Sequence, residues 1–288
     1  MPVSGRLIGR VLAVAAIAAC AGYAFYCMHF YVTQQSRLFT PAPLPADHQY
    51  DFGRALEERS IPGADGTVSG LLLPVAASHG IVLFLPGATG NAADVIPDAV
   101  VPVAGAGYDL LAIDYPGFGK STGSIRDEAE LDAAMLAVYD WLMRQYPETR
   151  IILAGYDFGA APAAWLGCRH HPQRLVLLAP GFSGFDTLHA RYPLIPERLF
   201  RFPLRTDREL TACNPPVSIF HGANDDVVPP GASERLHALL KPTDTLALVG
   251  GAGHRDLLSN PDYQQTMQKL LTDGVQALAK PPKGVIIR

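Results

Sequence analysis

Leu153-Ala154-Gly155-Tyr156-Asp157-Phe158-Gly159-Ala160-Ala161 is the stretch on which the reading of the chain turns. The residues entering it, Arg150 to Ala154, are short, apolar and rich in β-branched side chains, which predicts a buried strand. The residues leaving it, Ala160 to Arg169, are alanine-rich and predict a helix. Gly155 and Gly159 stand two residues either side of Asp157. Small residues there permit a tight strand-to-helix turn whose central side chain stands exposed on a strained backbone. The centre of that turn is a carboxylic acid and not a hydroxyl, and this choice governs the chemistry.

Strand and helix patterns alternate outward from this turn. Upstream, Ala55 to Ile61 and Val68 to Val75 read as strands joined through Pro62-Gly63-Ala64-Asp65-Gly66. Gly80 to Leu85 predicts a buried strand, and Asn91 a helix N-cap for a helix to about Ala104. Tyr108 to Ile113 predicts a further strand, and Glu128 to Gln145 an amphipathic helix carrying Leu131, Met135, Val138, Trp141 and Leu142. Downstream, strands are expected at Leu175–Leu178, Val217–Phe220 and Thr245–Val249, with helices from about Ala232 to Leu240 and after His254. The alternation implies a mostly parallel sheet covered on both faces, an α/β fold. Residues 181–213 lack a clean period yet hold Phe182, Phe185, Tyr192, Leu194, Phe200 and Phe202, which predicts a small lid.

The N-terminus is of another kind. Residues 11–32 are almost wholly apolar, and at about 1.5 Å per residue they give roughly 33 Å of helix, enough to cross a bilayer. Arg6 and Arg10 precede this run and no Lys or Arg follows until Arg37. That bias predicts a cytoplasmic segment 1–10, a transmembrane anchor 11–32 and the remainder on the non-cytoplasmic, periplasmic or extracellular, side. Ile17-Ala18-Ala19-Cys20 keeps a cleaved or lipidated signal peptide open as an alternative. Pro41, Pro43 and Pro45 predict that 33–53 is an extended stalk, leaving 54–288 as one large domain.

Composition narrows the function. Of the 288 residues 49% are hydrophobic and 17% charged, which is the make-up of a globular chain with an ample core. A formal net charge of −4 gives no electrostatic reason to expect nucleic acid as a partner. The four cysteines show no CxxC or Cys/His spacing, which argues against a zinc site or a disulfide framework, and whether Cys168 meets Cys213 stays open; no metal or cofactor is expected. Gly119-Lys120-Ser121 hints at a phosphate-binding loop, but Asp114 falls where the first glycine of that motif belongs, so nucleotide is excluded.

Asp157, Asp225 and His254 each fall at the C-terminal end of a predicted strand, where parallel sheets place their sites. The order of turn residue, acid and histidine is that of the α/β-hydrolase fold. The chain resembles that superfamily, and within it the membrane-anchored BEM46-like branch. The resemblance rests on Pro86-Gly87-Ala88-Thr89-Gly90-Asn91, Asp114-Tyr115-Pro116-Gly117-Phe118-Gly119-Lys120-Ser121, His221-Gly222-Ala223-Asn224-Asp225 and Gly251-Ala252-Gly253-His254, with Gln35-Ser36-Arg37-Leu38-Phe39-Thr40-Pro41 after the anchor. It departs at Pro86, where the branch has histidine, and at Asp157, where it has serine. The resemblance implies a hydrolase with His254 as base, Asp225 as its orienting acid in preference to Asp226, and an oxyanion hole from the backbone N–H groups of Ala88 and Phe158.

Aspartate at the turn redirects the reaction. A carboxylate is charged above its ordinary value of about 3.9 and needs no base to attack. Attack on a carbonyl gives an anhydride, whereas attack on a carbon bearing a halide or epoxide oxygen gives an alkyl ester that a His254-activated water hydrolyses. Epoxide hydrolases and haloalkane dehalogenases resemble this turn, and the resemblance implies a small apolar substrate. Their leaving-group partners are incomplete here: Phe158 stands where the dehalogenases have tryptophan, and the 181–213 segment offers only Tyr192 as a substrate-binding tyrosine. Ester or thioester hydrolysis, and a non-catalytic binding protein of the same fold, remain the alternatives. Gly119-Lys120-Ser121-Thr122-Gly123 also spells Gly-x-Ser-x-Gly, but it does not join a strand directly to a helix.

Overall fold

A computed structural model describes residues 5–274 and 281–288, with side chains from Leu7 onward; the first four residues of the expected segment 1–10 lie outside it. The chain opens with α1 (Gly5–Leu38), followed by β1 (Thr40–Pro41), β2 (Glu57–Gly63), β3 (Gly66–Leu73), β4 (Ile81–Leu85) and β5 (Thr89–Gly90). Then come α2 (Ala92–Gly105), β6 (Asp109–Ile113), α3 (Glu128–Met143), β7 (Ile151–Tyr156), α4 (Ala160–Arg169) and β8 (Arg174–Leu178). The last third holds α5 (Gly184–Arg191), α6 (Thr206–Leu210), β9 (Val217–Gly222) and α7 (Gly231–His237). It ends with β10 (Thr245–Val249), α8 (Pro261–Asp273) and β11 (Val285–Ile287).

Nine strands form one sheet in the order β11-β10-β9-β8-β7-β4-β6-β3-β2. The six from β10 to β6 run parallel, and antiparallel partners close both edges. The central strands β4 and β7 are apolar along their length because both of their faces are covered. Ile81, Leu83, Leu85, Ile151 and Leu153 pack with α3 and α4. Their alternates Val82, Phe84, Ile152 and Ala154 pack with α2 and α8. The edge strand β11 was not expected from so short a run as Val285–Ile287. The helix α2 starts where Asn91 predicts, with its side chain accepting from Ala93 N–H and Asp94 reaching back to Asn91 N–H.

The N-terminal helix is longer than expected. It runs without a break to Leu38 and takes in the start of the predicted stalk. The rest of that segment does not stand free either, which corrects the 33–53 reading. Thr40 N–H donates to Ala88 O, Ala42 N–H to Gly90 O and Leu44 N–H to Gly119 O, so the proline-rich run is extended but laid against the sheet domain. Prolines set the extended conformation, while the intervening residues keep the N–H groups that pair it. Leu7–Leu38 is long and apolar enough to cross a membrane, and Leu12, Val14, Ile17 and Phe25 along it are exposed. One face of its last third is covered by the 181–213 segment. Phe30 is buried among Leu188, Ile195 and Phe200, and the Gln34 amide bridges Leu199 O and Arg201 N–H. Cys168 on α4 and Cys213 beyond α6 form a disulfide that ties the other end of that segment to the domain.

Candidate active site

The turn between β7 and α4 is as sharp as its glycines allow. A Cβ on Gly155 would lie 2.2 Å from Gly159 O, and one on Gly159 would lie 2.1 Å from Leu85 O, so neither position tolerates a side chain. Asp157 at its apex has φ +53°, the left-handed region that a non-glycine residue occupies at a cost of order 1–3 kcal/mol. The strain holds the carboxylate out at the C-terminal ends of the strands. There the backbone N–H groups of Phe158 and Ala88 lie close enough to favour its charged form. The side chain proposed as a nucleophile therefore lies beside the two donors expected to form an oxyanion hole.

His254, carried by the loop after β10, approaches from the other side. Its Nε2 lies 3.6 Å from Asp157 Oδ1, within ion-pair range and beyond a hydrogen bond. Its Nδ1 lies 2.7 Å from Asp225 Oδ2, and since a carboxylate only accepts, Nδ1 carries a hydrogen and Nε2 is the ring atom that faces Asp157. Asp225 is buried, and Val227 and Val228 N–H groups donate to its other oxygen at 2.9 and 2.8 Å. Asp226, the competing acid, is exposed and makes no contact of this kind. The Asp157 carboxyl is 32% exposed toward the cavity and otherwise enclosed. That desolvation raises its pKa above the usual carboxylate range, while His254 and the two backbone donors pull it back.

Three supporting residues were not singled out from sequence. His221, fully buried, places Nε2 2.8 Å from Val228 O and 3.2 Å from Asp225 Oδ2, while Nδ1 meets Ser233 Oγ at 2.6 Å. Two acceptors facing Nε2 put its hydrogen there, and burial lowers its pKa and keeps the ring neutral. Tyr156 stacks on the His254 ring and donates to His254 O at 2.7 Å. Tyr115 is buried against Phe158 and donates to Pro86 O at 2.8 Å, fixing the loop that presents Ala88 N–H. His221 and Tyr115 each lie in a motif that carries the resemblance and Tyr156 stands beside the apex, so position was a signal for all three.

A cavity of about 450 Å³ opens over Asp157 and Phe158. Its walls include Ser183, Thr187, Leu188 and Leu204 from the 181–213 segment, and Arg37 and Leu38 from the end of α1. No tryptophan or tyrosine lines it. Tyr192 is set apart: its hydroxyl accepts from Arg37 and its ring packs on Phe30, outside the cavity wall, which corrects its expected place at the substrate. Trp141 and Trp165 pack against the core. Ser121 is spent on structure, accepting from Ser69 N–H and donating to Asp114 O. A larger surface cleft of about 790 Å³, lined by Arg174, Pro216 and Asp244, lies at the opposite ends of the strands and holds none of these residues.

A family model described as the alpha/beta hydrolase fold matches residues 80–203, which carry the turn and the hole. An uncharacterized protein of Mycobacterium tuberculosis is 32% identical over 191 residues, 64% of this chain and 68% of its own length. The chain belongs to the α/β-hydrolase-fold family. Alpha/beta hydrolase domain-containing protein 17B of Xenopus tropicalis is 26% identical over 176 residues, 57% of this chain and 56% of that one. Among solved structures, an esterase of Pyrococcus furiosus superposes with a TM-score of 0.65 at 22% identity, covering 81% of this chain and 97% of that one. At that identity the likeness is one of fold.

Proposed function

We propose that the protein is a membrane-anchored hydrolase of the BEM46-like branch in which Asp157, Asp225 and His254 act as nucleophile, orienting acid and base. The observation that carries the reading is the seating of Asp157. Its Oδ1 faces His254 Nε2 at 3.6 Å, and the Phe158 and Ala88 N–H groups lie beside the carboxylate. A carboxylate so held attacks an electrophilic saturated carbon and expels a halide or opens an epoxide, leaving an alkyl ester on Asp157. Water deprotonated by His254 Nε2 then attacks the carbonyl carbon of that ester. The tetrahedral oxyanion forms beside the two donors, and on its collapse the His254 imidazolium returns its proton to the departing alkoxide, freeing the alcohol and restoring the carboxylate.

The segment 181–213 is the lid in this reading, and α1 the anchor. Exposed apolar side chains along α1 need a non-aqueous surrounding, which a bilayer supplies. The Cys168–Cys213 disulfide supports placing the domain on the non-cytoplasmic side, because such bonds persist in oxidising compartments. A second reading rests on the same seating: a carboxylate that fills the oxyanion hole silences a site once built for esters, leaving a binding protein.

Trapping separates the two. His254→Ala protein incubated with an epoxide and haloalkane panel should gain the mass of the epoxide, or of the alkyl group less one hydrogen, at Asp157. The adduct should be absent from Asp157→Asn/His254→Ala protein. Absence of any adduct across the panel, in folded protein, would leave the silent-site reading in possession.

A further inference from the structure

His221 is a titratable group beside the site that the proposed reaction does not use. It stands near the end of β9 and is fully buried, as is Ser233 of α7. Its ring is gripped at both nitrogens. Nε2 faces Val228 O at 2.8 Å and Asp225 Oδ2 at 3.2 Å, and Nδ1 faces Ser233 Oγ at 2.6 Å. A hydroxyl donates or accepts, and a neutral imidazole offers one nitrogen of each kind. Were Nδ1 to carry the hydrogen, the Nε2 lone pair would face two oxygens that only accept. The Ser233 hydrogen would then meet no acceptor among the described residues. With the hydrogen on Nε2, Ser233 donates to Nδ1 and each of these groups is paired. Burial makes the difference between the two tautomers large, because an unpaired polar group costs most where water cannot reach it. Burial also disfavours the charged ring.

Val228 links this ring to the acid. Its carbonyl faces the His221 hydrogen, and its N–H donates to Asp225 Oδ1 at 2.8 Å. Asp225 Oδ2, which His254 Nδ1 meets at 2.7 Å, is the same oxygen that His221 Nε2 faces. A hydrogen on Nε2 attracts both Val228 O and the Asp225 carboxylate, whereas a lone pair there would repel both. We propose that Ser233 and His221 are positioning residues for the site: Ser233 sets the tautomer of His221, and the Nε2 hydrogen so fixed holds Asp225 in register with His254. This deepens the reading of Asp225 as the acid that orients His254, and rests on it. Neither residue lines the cavity, so both act through Asp225.

Nuclear magnetic resonance of the resting full-length chain in detergent micelles tests this without turnover and without any role for Asp157. With nitrogen-15 in the histidine rings, the ring shifts report each tautomer, and a low-field proton reports the bond from His254 Nδ1 to Asp225. His221→Gln and His254→Gln assign the signals. Wild-type His221 should carry its hydrogen on Nε2. Ser233→Ala should move the tautomer ratio toward Nδ1 roughly tenfold, the effect of one lost hydrogen bond, and should shift and broaden the His254 proton. His221→Gln, whose amide N–H takes the place of Nε2, should keep that proton. His221→Asn, whose amide reaches only as far as Nδ1, should lose it. A ring that merely filled space would leave the two variants alike. Should Ser233→Ala fail to fold, the glutamine and asparagine variants decide alone. A hydrogen on Nδ1 of wild-type His221 overturns the proposal. A His254 proton present in wild type and unmoved in the variants overturns it too, and leaves the Asp225 reading standing. A proton absent from wild type overturns both.

Discussion

Asp225 and Asp157 flank the same histidine and are held in opposite ways. Asp225 is fully buried, its oxygens met by two backbone N–H groups, His221 and His254, all from within residues 221–254. Asp157 is open to a cavity, and its support comes from distant parts of the chain. Its donor Ala88 is fixed through Thr40 N–H and through the Tyr115–Pro86 bond, and its cavity is walled by α1 and the 181–213 segment. The half proposed as acid and base is therefore a local construction, whereas the half proposed as nucleophile depends on long-range packing that begins at α1. Damage to the first should stop the chemistry outright. Damage to the second should loosen it by degrees.

The largest effect tests whether the acid–base half is intact. Wild-type protein should not react with a fluorophosphonate probe, because Asp157 offers no activated hydroxyl. Asp157→Ser should react, since His254 Nε2 then faces a hydroxyl beside the two backbone donors. Adding His254→Ala should slow that labelling by about 10²–10⁴-fold, the range for a lost general base. Gel fluorescence after a timed exposure measures this. Labelling of wild type that survives in Asp157→Ala would move the nucleophile elsewhere and undo the comparison.

The contrast also explains what could be read from sequence. Strand ends and glycine spacing located Asp157, Asp225 and His254, because each depends on residues within a few positions of itself. The sheet followed for the same reason: six buried runs announce a parallel core. What stayed hidden depends on distance along the chain. Arg37 and Arg191 line one cavity although more than a hundred residues separate them, and no local pattern reports that. The prolines of 33–53 correctly signalled extension, but extension is equally compatible with a free stalk and a docked one. Tyr192 was assigned to the substrate because it stood alone in its segment, and packing on Phe30 turned it aside.

The second prediction concerns the tie at the base of the lid. The Cys168–Cys213 bond closes a loop of 45 residues that includes most of the cavity's cover. Replacing both cysteines by serine should cost about 3–4 kcal/mol of stability. Urea unfolding of the detergent-solubilised chain, followed by near-ultraviolet circular dichroism, should show the midpoint fall by the corresponding amount. An unchanged midpoint would mean that the nucleophile half does not depend on this cover.

A smaller effect is expected where the chain after α1 meets the proposed oxyanion hole. Thr40→Pro deletes the N–H that donates to Ala88 O and changes no group in the cavity. In the Asp157→Ser background it should slow fluorophosphonate labelling roughly tenfold, as a modest misplacement of a catalytic donor does. Circular dichroism should be unaltered. Labelling at the full rate would show that Tyr115 alone positions the loop, and the nucleophile half would then be more local than argued here.

The smallest effect comes from a third aspartate, under the lid. Asp132 sits on α3 one turn beyond Glu128, whose carboxylate accepts from the backbone N–H of Leu204 in the cavity wall. Burial, with the Glu128 charge adding to it, pushes Asp132 up to about 7, and nothing donates a hydrogen bond to it among the described residues. It is the opposite of Asp225: half-buried, and without compensation. The sign of its contribution follows. In the unfolded chain it ionises near the ordinary value of about 3.9, so above pH 7 folding must hold a charge that water would hold more cheaply. That cost is fully present above about pH 7 and is lost progressively as pH falls toward 4, where both states are protonated. Asp132→Asn should therefore be more stable than wild type by about 1–2 kcal/mol at pH 8, a figure reduced for partial exposure. The advantage should shrink steadily between pH 7 and pH 4. Paired urea titrations at pH 8, 6 and 4 measure it. A difference that does not vary with pH would mean that Asp132 is ionised in the folded protein throughout, and the lid would then rest on a solvated face of α3.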